Sequence, residues 1–437
     1  MNPNSIKLSA GILAGAGMLA LFPGNVHAQS SLMNRGAAPT FSTQAQTNLT
    51  TSQLLGQLNT ITTAVPFLMI TPDSRAGGMG ETGVATTPDV NSIHWNAAKL
   101  PFAEKKSGLG ISYTPWLRAL VPDINLAYLS FYTKIGKDKS SAIGASMRYF
   151  SLGNITFTDI VGNTIGQFRP NEFAFDGCYS RRLSDKFSTS MTARFIRSNL
   201  TNGVQVANQN TKTGTAVAVD LGAYYHNDKV KVNGKEATVM GGIAITNIGN
   251  KVSYSTSVNR DFIPINLRLG GGMLIHADDY NQVAFQLEFN KLLVPSPPVY
   301  ELDTNGSPKI NPNTGKPVIL YGKDPDVGVP QGMIQSFYDA PGGFKEELRE
   351  INICTGVEYW YNGIFAVRTG YFYEAKTKGN RQFLTLGAGV KYHVFGLDFA
   401  YLIPTNGQRS PLQNTLRFTL TFDFDPAKEG SGDEAGK

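Results

Sequence analysis

The chain has 437 residues, of which 41% are hydrophobic and only 16% charged, with 46 glycines, 18 tyrosines and 25 phenylalanines. That length suits two or three ordinary domains or one large barrel, and beyond the amino-terminal segment no run of roughly twenty apolar residues exists to cross a membrane as a helix. The formal charge of +6 gathers into no basic run, so nucleic acid is not an expected partner.

In chain order, Lys7, the apolar stretch from Leu8 to Phe22 and the sequence Val26, His27, Ala28 read as an export signal over residues 1–28. Cleavage after Ala28 removes Lys7 and no acid, leaving a charge of +5. Residues 29–61 are polar and rich in Thr, Gln and Ser, and are expected to form a flexible lead-in. Residues 62–107 hold many glycines and short apolar pieces without a long period, the pattern of a compact hatch or plug. From residue 108 onward, alternation and turn residues give fourteen strand candidates: 108–115, 124–134, 141–150, 171–183, 186–198, 214–227, 237–249, 262–276, 281–294, 347–361, 364–376, 381–393, 396–404 and 413–425. An even count of segments about ten residues long fits an all-β, antiparallel transmembrane barrel over 108–425, followed by a polar tail over 426–437.

The facing of the strands follows from their period of two. Leu416, Phe418, Leu420, Phe422 and Phe424 are expected to meet lipid, with Arg417, Thr419, Thr421 and Asp423 inside. Leu384, Leu386, Ala388, Val390 and Tyr392 likewise oppose Thr385, Gly387, Gly389, Lys391 and His393. In the eighth candidate, Ile265, Leu267, Leu269, Met273 and Ile275 are placed toward lipid, opposite Asn266, Arg268, Gly270 and Gly272. Arg194, Arg268 and Arg417 are then interior charges paired with plug or lumen groups. Connections alternate between short and long, as in bacterial barrels with short periplasmic turns; the exceptions are 228–236, long for its side, and 377–380, short for its side.

The longest connection, 295–346, carries nine prolines and is expected to lack regular structure. Its apolar residues Tyr321, Met333, Ile334, Phe337, Tyr338 and Phe344 are candidate partner-binding groups. Cys178 and Cys354 stand in strand candidates without a metal-ligand spacing, which points to two small packed residues, although an exported chain could pair them. His94 has no ligand-spaced partner, Trp95 suits a packing anchor, and Gly77, Gly78 and Gly80 lack the lysine of a phosphate loop. No metal or cofactor is expected. The five histidines accompany no nucleophile elbow, so an outer-membrane hydrolase is disfavoured.

The segment 62–100, TTAVPFLMITPDSRAGGMGETGVATTPDVNSIHWNAAKL, together with ISYTPWL from Ile111 and DINLAY from Asp123, resembles the PorV family of the type IX secretion system. More distantly, Arg75, Gly77, Gly78, Met79, Gly80 and Asn96, with Trp95 beside them, resemble the hatch of the long-chain fatty-acid transporter family. That second resemblance implies fourteen strands; the chain departs from its Asn-Pro-Ala pattern at Asn96, Ala97, Ala98, where an altered turn is expected. The first resemblance implies a non-enzymatic, multi-pass outer-membrane protein. Its implied partners are outer-membrane lipid, the translocon channel, cargo with a carboxy-terminal sorting domain, and the attachment complex that includes the PorU sortase. The hatch similarity supplies a rival reading as a transporter of hydrophobic small molecules such as fatty acids.

Overall fold

The computed structural model describes residues 51–117, 123–136, 138–158, 164–201, 203, 211–255, 260–406 and 415–425. The expected signal, most of the lead-in and the polar tail lie outside them. Fourteen strands close into an antiparallel barrel: β1 (Ser107–Pro115), β2 (Asn125–Ile135), β3 (Ser141–Ser151), β6 (Asn171–Ser184), β7 (Phe187–Asn199), β8 (Gly214–Val232), β9 (Lys235–Gly249), β10 (Asn266–His276), β11 (Asn281–Leu292), β14 (Asn352–Tyr361), β15 (Phe365–Tyr373), β16 (Gln382–Tyr392), β17 (Phe395–Pro404) and β18 (Leu416–Phe424). β18 pairs back on β1 from Ser107↔Phe424 to Tyr113↔Phe418, so the ladder has no free edge. β4 (Ile155–Thr158) with β5 (Thr164–Phe168), and β12 (Val299–Tyr300) with β13 (Ile319–Tyr321), form two small sheets in long connections.

The wall follows the alternation that lipid and lumen impose. Leu384, Leu386 and Val390 are exposed on β16 while Thr385 is buried, and Leu416, Leu420 and Phe424 are exposed on β18 while Arg417 and Thr419 are buried. Four expectations are corrected. Ile265 does not face lipid: the ladder of β10 starts only at Asn266, and Pro264 turns 262–265 inward, where Ile263 and Ile265 are fully buried and Asn247 Nδ2 holds the Pro264 carbonyl at 2.9 Å. The connection expected at 228–236 shrinks to Asn233 and Gly234, both at positive φ (50° and 80°) as in a type I′ hairpin, because β8 and β9 continue past the apolar band. The tenth candidate opens as a helix over Phe344–Arg349 and becomes strand only at Asn352. The segment 295–346 has regular structure, described below.

Residues 62–107 descend through the barrel from the end with long connections, the outer end, to β1 at the other end. They fold as two one-turn helices, Ser74–Gly77 and Ser92–Trp95, and two 3-10 turns, Pro66–Met69 and Ala97–Phe102. An upper apolar cluster joins Phe67, Leu68 and Ile70 to Phe150, Ile196, Ile263 and Leu293; a lower one joins Val90, Ile93 and Leu100 to Tyr132, Ala142 and Cys178. Between them the hatch backbone touches the wall. Gly80, at φ +65°, donates its N–H to Thr385 Oγ1 at 2.8 Å, and a Cβ there would stand 2.4 Å from the Thr355 carbonyl oxygen.

Gly80→Ala therefore combines left-handed strain with a wall collision, and should cost about 2–4 kcal/mol. Gly234→Ala, at φ +80° with nothing within 4 Å of its Cβ, should carry only the strain, about 1–2 kcal/mol. The check is the temperature at which each variant loses its heat-modifiable gel migration; equal shifts would mean that Gly80 makes no steric demand.

Candidate functional site

The hatch is fastened by charge. Arg75 grips Glu358 of β14 with two donors, Nε to Oε1 at 2.9 Å and Nη2 to Oε2 at 2.7 Å, and reaches Asp89 at 3.0 Å. The same Glu358 accepts Arg368 Nε at 2.7 Å, and Arg368 continues to Asp398 at 2.5 Å. Glu288 receives Gly83 N at 2.7 Å and Val84 N at 2.9 Å while pairing with Arg268 at 3.1 Å. Arg417 meets Glu81 at 2.8 Å, and Arg194 bridges Asp176 at 2.6 Å and Asp220 at 2.9 Å. The interior arginines expected from the strand pattern are all paired, two of them to hatch residues directly or through a shared acid.

Trp95 is clamped by its Nε1 donating to Asp73 Oδ2 at 2.7 Å and by Arg268 lying 4.7 Å from its ring centroid. Asp73 also caps Ser74–Gly77 by accepting Ala76 N at 2.9 Å. Asn96 caps the turn Ala97–Phe102 through Ala98 N at 3.1 Å and donates to the carbonyls of Val84 (3.2 Å) and Ala223 (2.9 Å). Gly77, Gly78 and Met79 lie against Arg417, Gly387 and Gly356 of the wall. The hatch residues singled out in the sequence thus come together as a fastening. Arg148 Nη2 donates to His94 Nδ1 at 2.9 Å. Cys178 and Cys354 are each free and buried. Among the described residues no group of three His, Cys, Asp or Glu side chains is placed to hold a metal.

The second assembly is at the outer end. The segment 295–350 is not irregular: β12 and β13 start an arm extended by the bridges Leu302↔Pro308 and Ile310↔Pro317, followed by helices Val329–Gln335 and Phe344–Arg349. Prolines are tolerated because these are short edge pairings. The foot of the segment is a buried charge cluster. Lys291 of β11 pairs with Glu347 (3.1 Å) and Glu350 (2.6 Å), and Lys378 with Glu346 (2.6 Å) and Glu350 (2.9 Å). Residues 51–61, where a flexible lead-in was expected, tie into it: Asn59 Nδ2 donates to Glu346 (2.9 Å) and the Pro297 carbonyl (3.2 Å), and Arg349 Nη1 donates to the Leu55 carbonyl at 2.6 Å. Burial and the Glu347 and Glu350 carboxylates push Asp339 up to about 6, against the Ser296 N–H that it accepts. Burial also acts to raise Glu350, but the ammonium groups of Lys291 and Lys378 outweigh it and hold Glu350 low.

Of the six candidate partner-binding residues, Ile334, Phe337, Tyr338 and Phe344 are exposed, Tyr321 is half-buried in β13, and Met333 packs onto the upper core. Sequence reasoning missed Lys291, Lys378, Asn59 and the three glutamates. One signal was available: Lys291 continues the lipid-facing row Phe285, Leu287, Phe289, where a bare charge is costly, so a cover was implied. A cleft at the outer mouth is lined by apolar side chains, Ile61, Met69 and Leu292 among them, together with Glu350, Lys378 and Arg381.

No curated protein sequence matches the chain. Among solved structures, the toluene transporter TbuX of Ralstonia pickettii is similar at 12% identity and TM-score 0.43, covering 81% of this chain and 98% of its own. The toluene transporter TodX of P. putida gives 12% and 0.43, with 82% and 99% covered, and a Pseudomonas aeruginosa FadL homologue gives 11% and 0.41, with 81% and 99% covered. The family described as "Type IX secretion system protein PorV" matches residues 53–299, from the lead-in through the hatch to β12, and the chain belongs to this family of outer-membrane β-barrels.

Proposed function

We propose that the protein is a non-enzymatic component of type IX secretion that takes cargo bearing a carboxy-terminal sorting domain from the translocon channel and hands it to the surface attachment complex that includes PorU. The observation that carries this reading is the family match over 53–299. The fastened hatch agrees with it: Arg75–Glu358 and Glu81–Arg417 tie the hatch to the wall, which leaves the outer end as the surface for partners. Transport of hydrophobic molecules is the rival. It calls for an apolar route beside the hatch, whereas Arg75, Arg268, Arg368 and Arg417 with their acids occupy that level.

A closed ladder offers no edge for strand addition, so cargo meets the outer connections, foremost the arm of 295–350. Removal of 302–317, with Glu301 joined to Val318 through Asn-Gly, respects the existing contact of Glu301 N with the Val318 carbonyl at 2.9 Å. That variant should retain heat-modifiable migration, lose about 2 kcal/mol of cargo affinity (roughly thirtyfold) and leave cargo in the periplasm. Undiminished capture of sorting-domain cargo would remove the arm from the reading, and unimpaired secretion with loss of fatty-acid uptake would favour the rival.

The hold on the segment is pH-dependent with a definite sign. The contribution of Asp339, whose pKa is raised, is full below 3.8 and is lost as pH rises through about 6; that of Glu350, whose pKa is lowered, is present above 4.5 and is lost only as pH falls. Proteolysis within 322–328 should therefore accelerate in the wild type, relative to Asp339→Asn, as pH rises through about 6. A constant ratio across that range would show that Asp339 does not loosen the foot.

A further inference from the structure

β9, β10 and β11 present two successive horizontal rows to the outside. In the lower row Ile243, Leu269 and Phe289 pair across the strands and are 43%, 52% and 39% exposed, as a lipid-facing wall should be. In the upper row Ile245, Leu267 and Lys291 occupy the same outward register, yet Ile245 and Leu267 are only partly exposed and Lys291 is 6% exposed. The 295–350 segment covers them. Val327, Val329 and Met333 join the same packed cluster as Ile245 and Leu267, while Glu347, Glu350 and the Phe337 ring (5.8 Å) close over the Lys291 ammonium. From Val283 to Lys291 the strand climbs about 21 Å, at about 3.4 Å per residue and a tilt of about 40°, against an apolar band about 25 Å tall. The covering therefore lies against the outside of the wall, at the height of the outer interface.

The short helix Phe344–Arg349 is inverted for a water-facing element. Glu346 and Glu347, with Glu350 just beyond it, are buried toward the two lysines, and Phe344 (75% exposed) and Leu348, four residues apart on one face, point away from the wall. Ile334, Phe337 and Tyr338 add to the same exposed apolar set, and Lys323 Nζ lies 3.8 Å from the Tyr338 ring centroid, with Lys345 exposed beside Phe344. Aromatics flanked by lysine are the composition of an interfacial anchor.

We propose that residues 327–350 form a membrane foot, whose face of Ile334, Phe337, Tyr338, Phe344 and Leu348 rests in the acyl chains of the outer leaflet as an extension of the barrel wall. The foot holds the arm 299–321 at a fixed height and leaves that arm, with Tyr321, for cargo. This goes beyond the secretion reading and does not depend on it.

The test uses purified full-length protein in phosphatidylethanolamine–phosphatidylglycerol vesicles, spin-labelled at Phe344→Cys or Leu348→Cys, the two native cysteines being buried. Leu287→Cys on the wall and Ile310→Cys on the exposed arm serve as references. At both foot positions the ratio of collisions with oxygen to collisions with an aqueous nickel chelate should match that at Leu287 and exceed that at Ile310 several-fold. A ratio like that at Ile310 would place the face in water, and protection from both reagents would assign it to a second copy of the chain; either overturns the foot. Two labelled sites guard against one of them disturbing the fold, which heat-modifiable migration checks for each.

Discussion

Glu358 is the point on which the interior depends, because one carboxylate accepts Arg75 from the hatch and Arg368 from the wall and so makes the two a single body. A lipid-embedded ladder gives its inward polar groups no outlet except one another, the hatch or water. Five arginines, Arg148, Arg194, Arg268, Arg368 and Arg417, project inward from the wall and are almost fully buried, and each could be tolerated only with an acid or carbonyl within reach. The hatch supplies Glu81 and the Leu68 carbonyl, and the wall supplies Asp176, Asp220, Glu288, Glu358 and Asp398. Such pairs offset their own desolvation rather than adding much net stability; what they secure is one arrangement of hatch in wall, since removing either member leaves the other as an unpaired charge buried in the barrel interior.

The barrel was legible because two solvents act on every strand. A slip of one residue would send Arg417 or Arg268 into lipid, so the dyad pattern is strict wherever the wall crosses the apolar band. Where that constraint lapses, so did the reading. β8 runs out of the band through Asn227, Asp228, Lys229 and Lys231, both of its faces become wet, and alternation no longer marks the strand, although Asn233-Gly234 marked the turn. Ile265 kept the parity of its neighbours but not their ladder, because Pro264 interrupts the approach to β10.

The outer segment was the least legible part for a different reason. Its order comes from partners remote in sequence: Lys291, Lys378 and Asn59 meet Glu346, Glu347 and Glu350 only after the wall has closed. Read alone, the helix Phe344–Arg349 would turn its glutamates to water and its phenylalanine inward. The hatch motif was legible as a unit of tight packing, but not as a fastening, since the acids that its Arg75 and Trp95 bind, Glu358, Asp89 and Asp73, lie outside the motif.

The path of the chain through its own lumen has a topological result. Asn59 N–H is held by the Thr377 carbonyl at the outer mouth (2.9 Å), whereas Lys105 pairs with Asp425 (2.6 Å) where β1 and β18 meet at the opposite rim. Asn59 and Asp425 consequently stand on opposite sides of the bilayer, so the approach to the hatch and the close of the last strand are addressed by different compartments.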